Sequence, residues 1–241
     1  IKNEDSPEII FAIPYDHKQG TVGNYLASMT YHYNQKLAFD PAGKYQWCGN
    51  GICAQPGLYS SFEANDVRRN CLLIGQQYNA ATGAPVLMDN GDPLNYTETI
   101  GDFTKAAQNE GARLDKYEWS PNDQWERDND WVLMRYAEVL MMQAEANFRL
   151  GYMQNALDAI NAIRHRAGLN DLATLTLDDL DKEWRHEFVF EGLRRTTNIR
   201  FGDFFKAWWA KPAEADKHTA LFPIPHDELA KNSNLKQNPG Y

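Results

Sequence analysis

The pattern of hydrophobic and polar positions changes near residue 129, and it predicts a loop-rich first part followed by a helical second part. Residues 1–128 contain short apolar runs between turns rich in Gly, Asn, Asp and Pro. Residues 8–16 predict a strand, because bulky Ile and Phe side chains favour extended backbone and a proline limits the run. Residues 71–78 and 84–90 are further candidates for short strands, each bounded by turn residues.

Two helices are predicted after residue 129, where apolar side chains recur at steps of three and four residues. The first is expected to start at a cap on Asn129 or Asp130 and to end at Gly151. The second covers residues 153–168 and stops at Gly168. The expected buried faces contain Leu133, Tyr136, Ala137, Leu140, Ala144 and Phe148 in the first helix, and Ala156, Leu157, Ile160, Ile163 and Ala167 in the second. Together they indicate a tetratricopeptide-like hairpin, which cannot bury both of its faces alone.

Two further helices and an extended tail complete the predicted fold. Thr176 is a suitable N-cap for the third helix, and the acidic side chains in its first turn suit the positive helix end better than a metal site. A short fourth helix is expected over 201–209. The fold class is therefore mainly α, with a helical hairpin and further helices packed on a loop-rich region with a few short strands. We expect one domain over 1–241, comprising a loop-rich part (1–128), a helical part (129–210) and a tail (211–241).

Charge and composition exclude several classes of function. The 241 residues carry a formal net charge of −9, and 43% are hydrophobic, an ordinary globular balance. No basic stripe is available for nucleic-acid phosphates. No apolar run reaches the roughly 18 to 20 residues that span a bilayer, and the first residues lack the pattern of a signal peptide.

The carboxylates Glu187 and Glu191 raise the hypothesis of a glycosidase, because they lie on one face of the third helix. Paired carboxylates about 5 to 9 Å apart can cleave glycosides. We favour structural ion pairs instead, and the nearby arginines are the expected partners: Arg185, Arg194 and Arg195. His186 is interpreted as a half-buried packing residue, and the histidines have no zinc-binding spacing. We expect no catalytic residue, no metal site and no cofactor.

Five segments together resemble the C-terminal half of the SusD/RagB family. They are SPEIIFAIPYD (6–16), RYAEVLMMQAEANFRLG (135–151), ALDAINAIRHRAGL (156–169), EWRHEFVFEGLRR (183–195) and LFPIPHDELAKNSNLKQNPGY (221–241). The sequence departs from the family pattern at Trp184 and Arg185, where an Arg-Arg pair is usual, and at Asn198, where an acid is common. These departures put a local ion-pair network in doubt.

The resemblance implies a non-catalytic, lipid-anchored protein on the extracellular face of the Bacteroidetes outer membrane. Such proteins bind oligosaccharides or polysaccharides and deliver them to a SusC-like TonB-dependent transporter. It further implies that a helical N-terminal half, with the signal peptide and the lipidated cysteine, lies outside these residues. A protein-interaction scaffold built on the helical hairpin, with no glycan ligand of its own, is the alternative.

Aromatic and amide side chains in the loop-rich part are the candidate glycan contacts. Sugars present apolar C–H faces, on which aromatic rings stack, and hydroxyls, which amides hydrogen-bond. The proposed contacts are Tyr45, Trp47, Asn50, Trp119 and Trp125. Trp131, Trp184, Trp208 and Trp209 are expected in helices, where tryptophans are more often core residues. Residues 122–130 are rich in oxygen ligands, but a calcium loop there remains a minor alternative because the usual spacing is absent.

Two cysteines close to these contacts suggest a small stapled turn. An extracellular location permits disulfides, and Cys48 and Cys53 enclose only four residues. Gly49 and Gly51 allow the tight path that such a ring requires. We therefore predict a Cys48–Cys53 disulfide with Cys71 buried and free; the rival pairing is Cys53–Cys71.

Overall fold

A computed structural model describes residues 6–16, 23–40, 48–117 and 127–241. The chain forms two compact units, Ile1–Glu191 and Gly192–Tyr241. The described elements are mostly helices, with a few strands of two to five residues. This confirms the expected mainly α fold, whereas the organisation as one domain stays a prediction.

The strands of the first unit form three small antiparallel pairs. β1 (Ile9–Ile13) pairs with β6 (Trp131–Arg135). β2 (Leu72–Leu73) pairs with β5 (Arg113–Leu114), and β3 (Gly75–Gln76) pairs with β4 (Asn95–Tyr96). The strand expected over 8–16 is thus confirmed as β1, and 71–78 contains β2 and β3. Residues 84–90 contribute only isolated bridges, between Tyr78 and Pro85 and between Leu87 and Pro93.

Short helices connect these strands. They are α1 (Leu26–Thr30), α2 (Lys36–Phe39), α3 (Leu58–Ser61) and a 3₁₀ helix (Val67–Cys71). The 3₁₀ helix is capped by the side chain of Asp66, which accepts from the backbone N–H of Arg68 at 3.0 Å. A core beneath this region packs Phe62, Leu72, Leu114 and Val189 together.

The predicted start of the first long helix is wrong by about one and a half turns. Residues 131–135 form β6, and α4 (Tyr136–Leu150) starts after it. The reason is pairing with β1; within β6, Val132 and Arg135 are buried while Leu133 is exposed. Tyr136, also expected in the core, is exposed, and its backbone N–H donates to the carbonyl of Glu8 at 2.8 Å.

The helical hairpin itself is confirmed. α4 ends at Gly151, whose φ of 83° is the left-handed conformation expected of a helix C-cap glycine. α5 (Met153–Arg166) then returns against α4. The predicted buried face of α5 is correct at all five positions, from Ala156 to Ala167. Ala144 and Ala156, which belong to the predicted buried faces of the two helices, are fully buried.

The third helix, α6 (Leu177–Glu187), begins as predicted. Thr176 and Asp179 form a capping box in which each side chain accepts from the other residue's backbone N–H, at 3.1 and 2.9 Å. Trp184 is buried, as expected, and its Nε1 donates to Glu145 Oε2 on α4 at 3.0 Å. This bond and the surrounding apolar contacts fix α6 on the hairpin.

In the second unit, the helix lies earlier in the chain than the predicted fourth helix over 201–209. The helix is α7 (Arg194–Phe201), and Gly202 ends it with a φ of 82°. Residues after Gly202 form turns, so Trp208 is 41% exposed and lies in a bridge with Lys211 instead of in a helical core. The tail has the expected extended path with a 3₁₀ turn (His218–Ala220) and a short helix, α8 (His226–Lys231).

The end of the tail folds back on its beginning. The side chain of Gln237 exchanges two hydrogen bonds with the backbone of Ile224, at 2.8 and 2.9 Å. The hydroxyl of Tyr241 donates to the carbonyl of Leu221 at 2.9 Å.

In the part of the chain that the structure describes, no helix has the length and apolarity needed to cross a membrane.

Candidate functional site

Four of the five proposed glycan contacts lie outside the described residues: Tyr45, Trp47, Trp119 and Trp125. These four residues fall in two segments, 41–47 and 118–126. Described residues next to the two segments meet around the buried side chain of Tyr31. Cys48 packs against Tyr31, and the guanidinium of Arg127 lies 5.4 Å from the centre of the Tyr31 ring. Arg127 Nη1 also donates to the carbonyl of Tyr117 at 3.1 Å. Cys48 and Arg127, each of which adjoins one of these segments, therefore lie at one place in the fold.

Asn50, the fifth proposed contact, is held by three hydrogen bonds. Its backbone N–H donates to the carbonyl of Tyr31 at 2.8 Å, and its φ of 48° lies in the left-handed region that Asn tolerates. Its Nδ2 donates to the carbonyl of Gln108 at 3.0 Å, and its Oδ1 accepts from Arg113 Nη2 at 2.8 Å. Asn50 thus has a fixed orientation, and its contact with a sugar stays a prediction.

Arg113 organises the turn beside Asn50. Its side chain is buried, and Nη1 donates to the carbonyls of Glu110 and Gly111, both at 2.7 Å. The guanidinium also lies 4.8 Å from the centre of the Tyr96 ring. Burial lowers the pKa of Arg113, yet the carbonyls and the ring supply partial negative charge that compensates for lost water.

His32 fixes the other side of the same turn. Its Nδ1 accepts from the backbone N–H of Asn34 at 3.1 Å, and its Nε2 lies 2.9 Å from Gln108 Oε1. Burial lowers the pKa of His32, and the bond to Gln108 opposes this only in part. His32 is therefore a neutral imidazole whose proton is on Nε2. Sequence reasoning missed His32, Gln108 and Arg113, because residues so far apart in the chain share no local spacing.

The predicted Cys48–Cys53 disulfide is not formed, and neither is the rival Cys53–Cys71 pair, because all three cysteines are free thiols. The intervening segment is hydrogen-bonded to α1, with Gly49 N and Gly51 N donating to the carbonyls of Ser28 and Met29 at 2.9 and 2.7 Å.

The two thiols consequently face different partners. Cys48 packs with Tyr31 and its neighbours, whereas Cys53 contacts Gly111, where any Cβ would overlap its Sγ. Burial raises the pKa of Cys48 to about 12 and that of Cys71 to about 11. Cys71 is free, as expected, and half-buried.

Glu187 and Glu191 are buried in an ion-pair network, as the structural interpretation requires. Their partners include cations that the sequence did not predict. Arg135 Nη1 donates to Glu187 Oε1 at 2.6 Å, and Arg68 Nη1 donates to Glu187 Oε2 at 3.0 Å. Arg166 also pairs with Glu187, and Lys116 pairs with Glu191. The partners come from other elements because both carboxylates point into the core, where Arg135 and Lys116 also lie.

The network sets the protonation of Glu187. Burial raises its pKa, but the charges of Arg135 and three other cations outweigh burial and bring the pKa down to about 2. Glu183 precedes Trp184 and Arg185, where the family pattern usually has an Arg-Arg pair. It nevertheless forms ion pairs with Arg68 and with Arg164, the latter at 3.5 Å. An ionised Glu187 cannot act near neutral pH as the general acid that glycoside cleavage requires.

His186 is a packing residue, as expected, although it is fully buried. Its ring stacks on Phe62 with the centroids 3.9 Å apart, and Nε2 lies 2.8 Å from Ser61 Oγ. Burial, with the positive charge of Arg185, lowers its pKa to about 3.

Within the described ranges no group of three or more His, Cys, Asp or Glu side chains could hold a metal ion. The possible calcium loop at 122–130 lies mostly outside those ranges.

Comparison with known proteins identifies the class to which this architecture belongs. The model of the SusD family matches residues 7–241. The chain is similar to the starch-binding protein SusD of Bacteroides thetaiotaomicron, with 37% identity over 123 residues, covering 47% of this chain and 22% of SusD. It is also similar to the SusD-like protein P2 of Formosa agariphila, with 27% identity over 267 residues, covering 97% of this chain and 48% of that protein.

Solved structures agree with this match. Surface glycan-binding protein A from Bacteroides thetaiotaomicron superposes with a TM-score of 0.68 and 25% identity, covering 98% of this chain and 52% of that protein. The same protein in complex with laminarihexaose gives a TM-score of 0.67 and 26% identity, over 98% and 52% of the two chains.

The chain belongs to the SusD family. Proteins of this family bind carbohydrate without catalysis, and they are cell-surface proteins of Bacteroidetes. The chain spans about half the length of P2 and of the solved relatives.

Proposed function

We propose that this chain belongs to a cell-surface protein that captures an oligosaccharide or polysaccharide and delivers it to a SusC-like TonB-dependent transporter. A lipid anchor would attach the protein to the extracellular face of the outer membrane. The observation that carries the proposal is family membership over residues 7–241, together with a similar protein solved with laminarihexaose.

The local structure supports a glycan contact in the loop-rich region. Cys48 and Arg127, which adjoin the segments 41–47 and 118–126, both contact Tyr31, and nearby Asn50 is held by Arg113. Rings and amides held in place before binding lose little conformational freedom when a sugar docks. Tyr45, Trp47, Trp119 and Trp125 remain the proposed stacking residues.

The buried acids argue against the glycosidase alternative. Glu187 and Glu191 have side chains only 1% and 4% exposed, and each is neutralised by at least two cations. A substrate could not reach them without breaking the network. We therefore propose that the protein binds its glycan without cleaving it.

An exposed apolar stripe favours protein interaction as a second candidate. Tyr136, Val139, Met142 and Leu150 lie on one side of α4 and are all exposed. Contiguous exposed apolar surface commonly marks a contact with another protein. If the scaffold alternative holds, the full-length protein binds a polypeptide partner but no glycan.

Affinity electrophoresis of the full-length protein through gels containing single polysaccharides tests the proposal. Starch and laminarin are the first probes, because similar proteins are a starch-binding protein and a protein solved with laminarihexaose. Selective retardation by at least one polysaccharide in a wider panel, with no release of reducing ends, is expected. Unretarded migration throughout the panel, with the transporter also present, would reject glycan binding.

A further inference from the structure

We propose that Tyr33, Asn50 and Gln108 form a carbohydrate contact, called here the Tyr33 surface, in which the ring stacks on a neutral hexose and the two amides donate to its hydroxyls. The inference rests on the proposed function and assigns it to described residues. Of these three, only Asn50 is among the contacts predicted from the sequence.

Tyr33 supplies the apolar part of this surface. Its side chain is 43% exposed, and its ring centroid lies 5.4 Å from that of the buried His32. The neighbouring residues fix its backbone on both sides, because Asn34 N–H donates to His32 Nδ1 at 3.1 Å and His32 N–H donates to the hydroxyl of Tyr96 at 3.0 Å. An exposed aromatic ring on a fixed backbone suits stacking on the C–H face of a sugar.

Gln108 supplies hydrogen-bond donors, and His32 determines their direction. Because His32 Nδ1 accepts from Asn34, the imidazole proton is on Nε2 and donates to Gln108 Oε1 at 2.9 Å. The amide oxygen is therefore turned toward the protein. The amide nitrogen of this exposed residue is on the opposite side, with two N–H groups available to a ligand.

Asn50 is also oriented by hydrogen bonds to the protein. Its Oδ1 accepts from Arg113 Nη2 at 2.8 Å, and its Nδ2 donates one hydrogen to the carbonyl of Gln108 at 3.0 Å. The second N–H of Nδ2 remains for a ligand. Arg113 binds the carbonyls of Gln108, Glu110 and Gly111, so it holds both amides in one unit.

The chemistry of the surface selects its ligand class. It combines an aromatic ring with amide donors, and the described cation Arg113 beside it is buried against carbonyls and the Tyr96 ring. Hydroxyl oxygens of a sugar accept from such donors, and the C–H face packs on the ring. A neutral hexose unit therefore fits better than a uronate or a sulfated sugar.

Calorimetric titration of the full-length protein with laminarihexaose, maltohexaose, xylohexaose and mannohexaose tests the inference. Tyr33→Ala is expected to weaken the best of these ligands by about three- to tenfold, the usual effect of one stacking ring. Gln108→Glu keeps an acceptor for His32 but removes the N–H donors, and we expect a loss of at least about fivefold. Tyr152→Ala, at an exposed tyrosine beside α5, is the matched control and should bind like the unaltered protein.

The outcomes separate the two proposals. If the unaltered protein binds one of the four oligosaccharides, and both variants keep its affinity and its melting temperature, the Tyr33 surface is rejected while the proposed function stands. If the unaltered protein binds none of them and no polysaccharide retards it, the proposed function fails and the inference fails with it. Loss of affinity in both variants at an unchanged melting temperature, with Tyr152→Ala unaffected, supports the inference.

Discussion

Arg135 and Glu191 form a bidentate ion pair inside the first unit. Nε of Arg135 lies 2.7 Å from Oε2 of Glu191, and Nη2 lies 2.8 Å from Oε1. Both side chains are buried, and the guanidinium also lies 4.6 Å from the centre of the Phe188 ring. The pair joins the end of β6 to the turn after α6, so it links the two-stranded β1–β6 pair to the helices.

Arg135→Met is expected to destabilise the protein strongly. Removing one partner of a buried pair leaves uncompensated charge, which costs about 3 to 5 kcal/mol. Urea unfolding followed by circular dichroism measures the change. The control is Arg149→Met, because Arg149 is about half exposed and pairs with Glu145 one helical turn away, where we expect a loss of under about 1 kcal/mol. Equal losses at the two positions would contradict the structural role of Arg135.

Stability is expected to fall as pH decreases from about 6.5 to 3. The pKa of His186 is lowered from 6.5 to about 3, so in this range the unfolded chain binds a proton that the folded protein does not. Glu187 acts in the same direction below pH 4.5, because its folded pKa is about 2. Burial raises the pKa of Glu183, which opposes these two groups.

The contribution of His186 can be isolated by comparison with His186→Gln. Between pH 6.5 and 5, where Glu187 is ionised in both states, the variant should show a shallower dependence of its melting temperature on pH. Parallel curves for the two proteins would show that His186 does not titrate differently in the folded state.

The overall architecture follows from sequence where the signal is local. Gly151, Thr176 and the buried face of α5 carry capping and periodicity signals that act within a few residues, and the structure has each as expected. The predicted start of α4 fails because β6 is defined by its partner β1, more than a hundred residues away. Similarly, the helix expected at 201–209 is displaced because Gly202 ends α7 early.

The candidate site was less accessible to sequence reasoning. Paired carboxylates at Glu187 and Glu191 were correctly assigned a structural role, but their partners Arg135 and Lys116 come from distant elements. The disulfide prediction rested on the implied location, the short spacing and the two glycines, none of which reveals that Cys48 packs on Tyr31 while Cys53 contacts Gly111. Gln108 is brought beside His32 and Tyr33 only by the folded chain.

Peptide mapping under non-reducing conditions should recover Cys48, Cys53 and Cys71 as free thiols. Alkylation of the native protein by iodoacetamide at pH 8 should be slow at Cys48, because its pKa of about 12 leaves almost no thiolate. After unfolding, all three should react quickly. Recovery of a peptide linked through Cys48 and Cys53 would contradict the structure.

Thr176→Ala is expected to cost about 1 kcal/mol of stability, the typical loss when an N-cap side chain is removed. The reason is that its hydroxyl accepts from the backbone N–H of Asp179 in the capping box. Asp178→Asn, in the same turn but outside the capping box, should change stability by at most about 0.5 kcal/mol. A thermal melt of both variants measures the difference. An unchanged melting temperature for Thr176→Ala would show that the capping box does not contribute to stability.

Glycan binding itself is tested by calorimetric titration of the full-length protein with the polysaccharide that retards it most. We expect a saturable heat of binding, an unchanged ligand after incubation, and a negative heat-capacity change from burial of apolar ring surface. The absence of binding heat for every glycan in the panel, or the appearance of cleaved product, would contradict it.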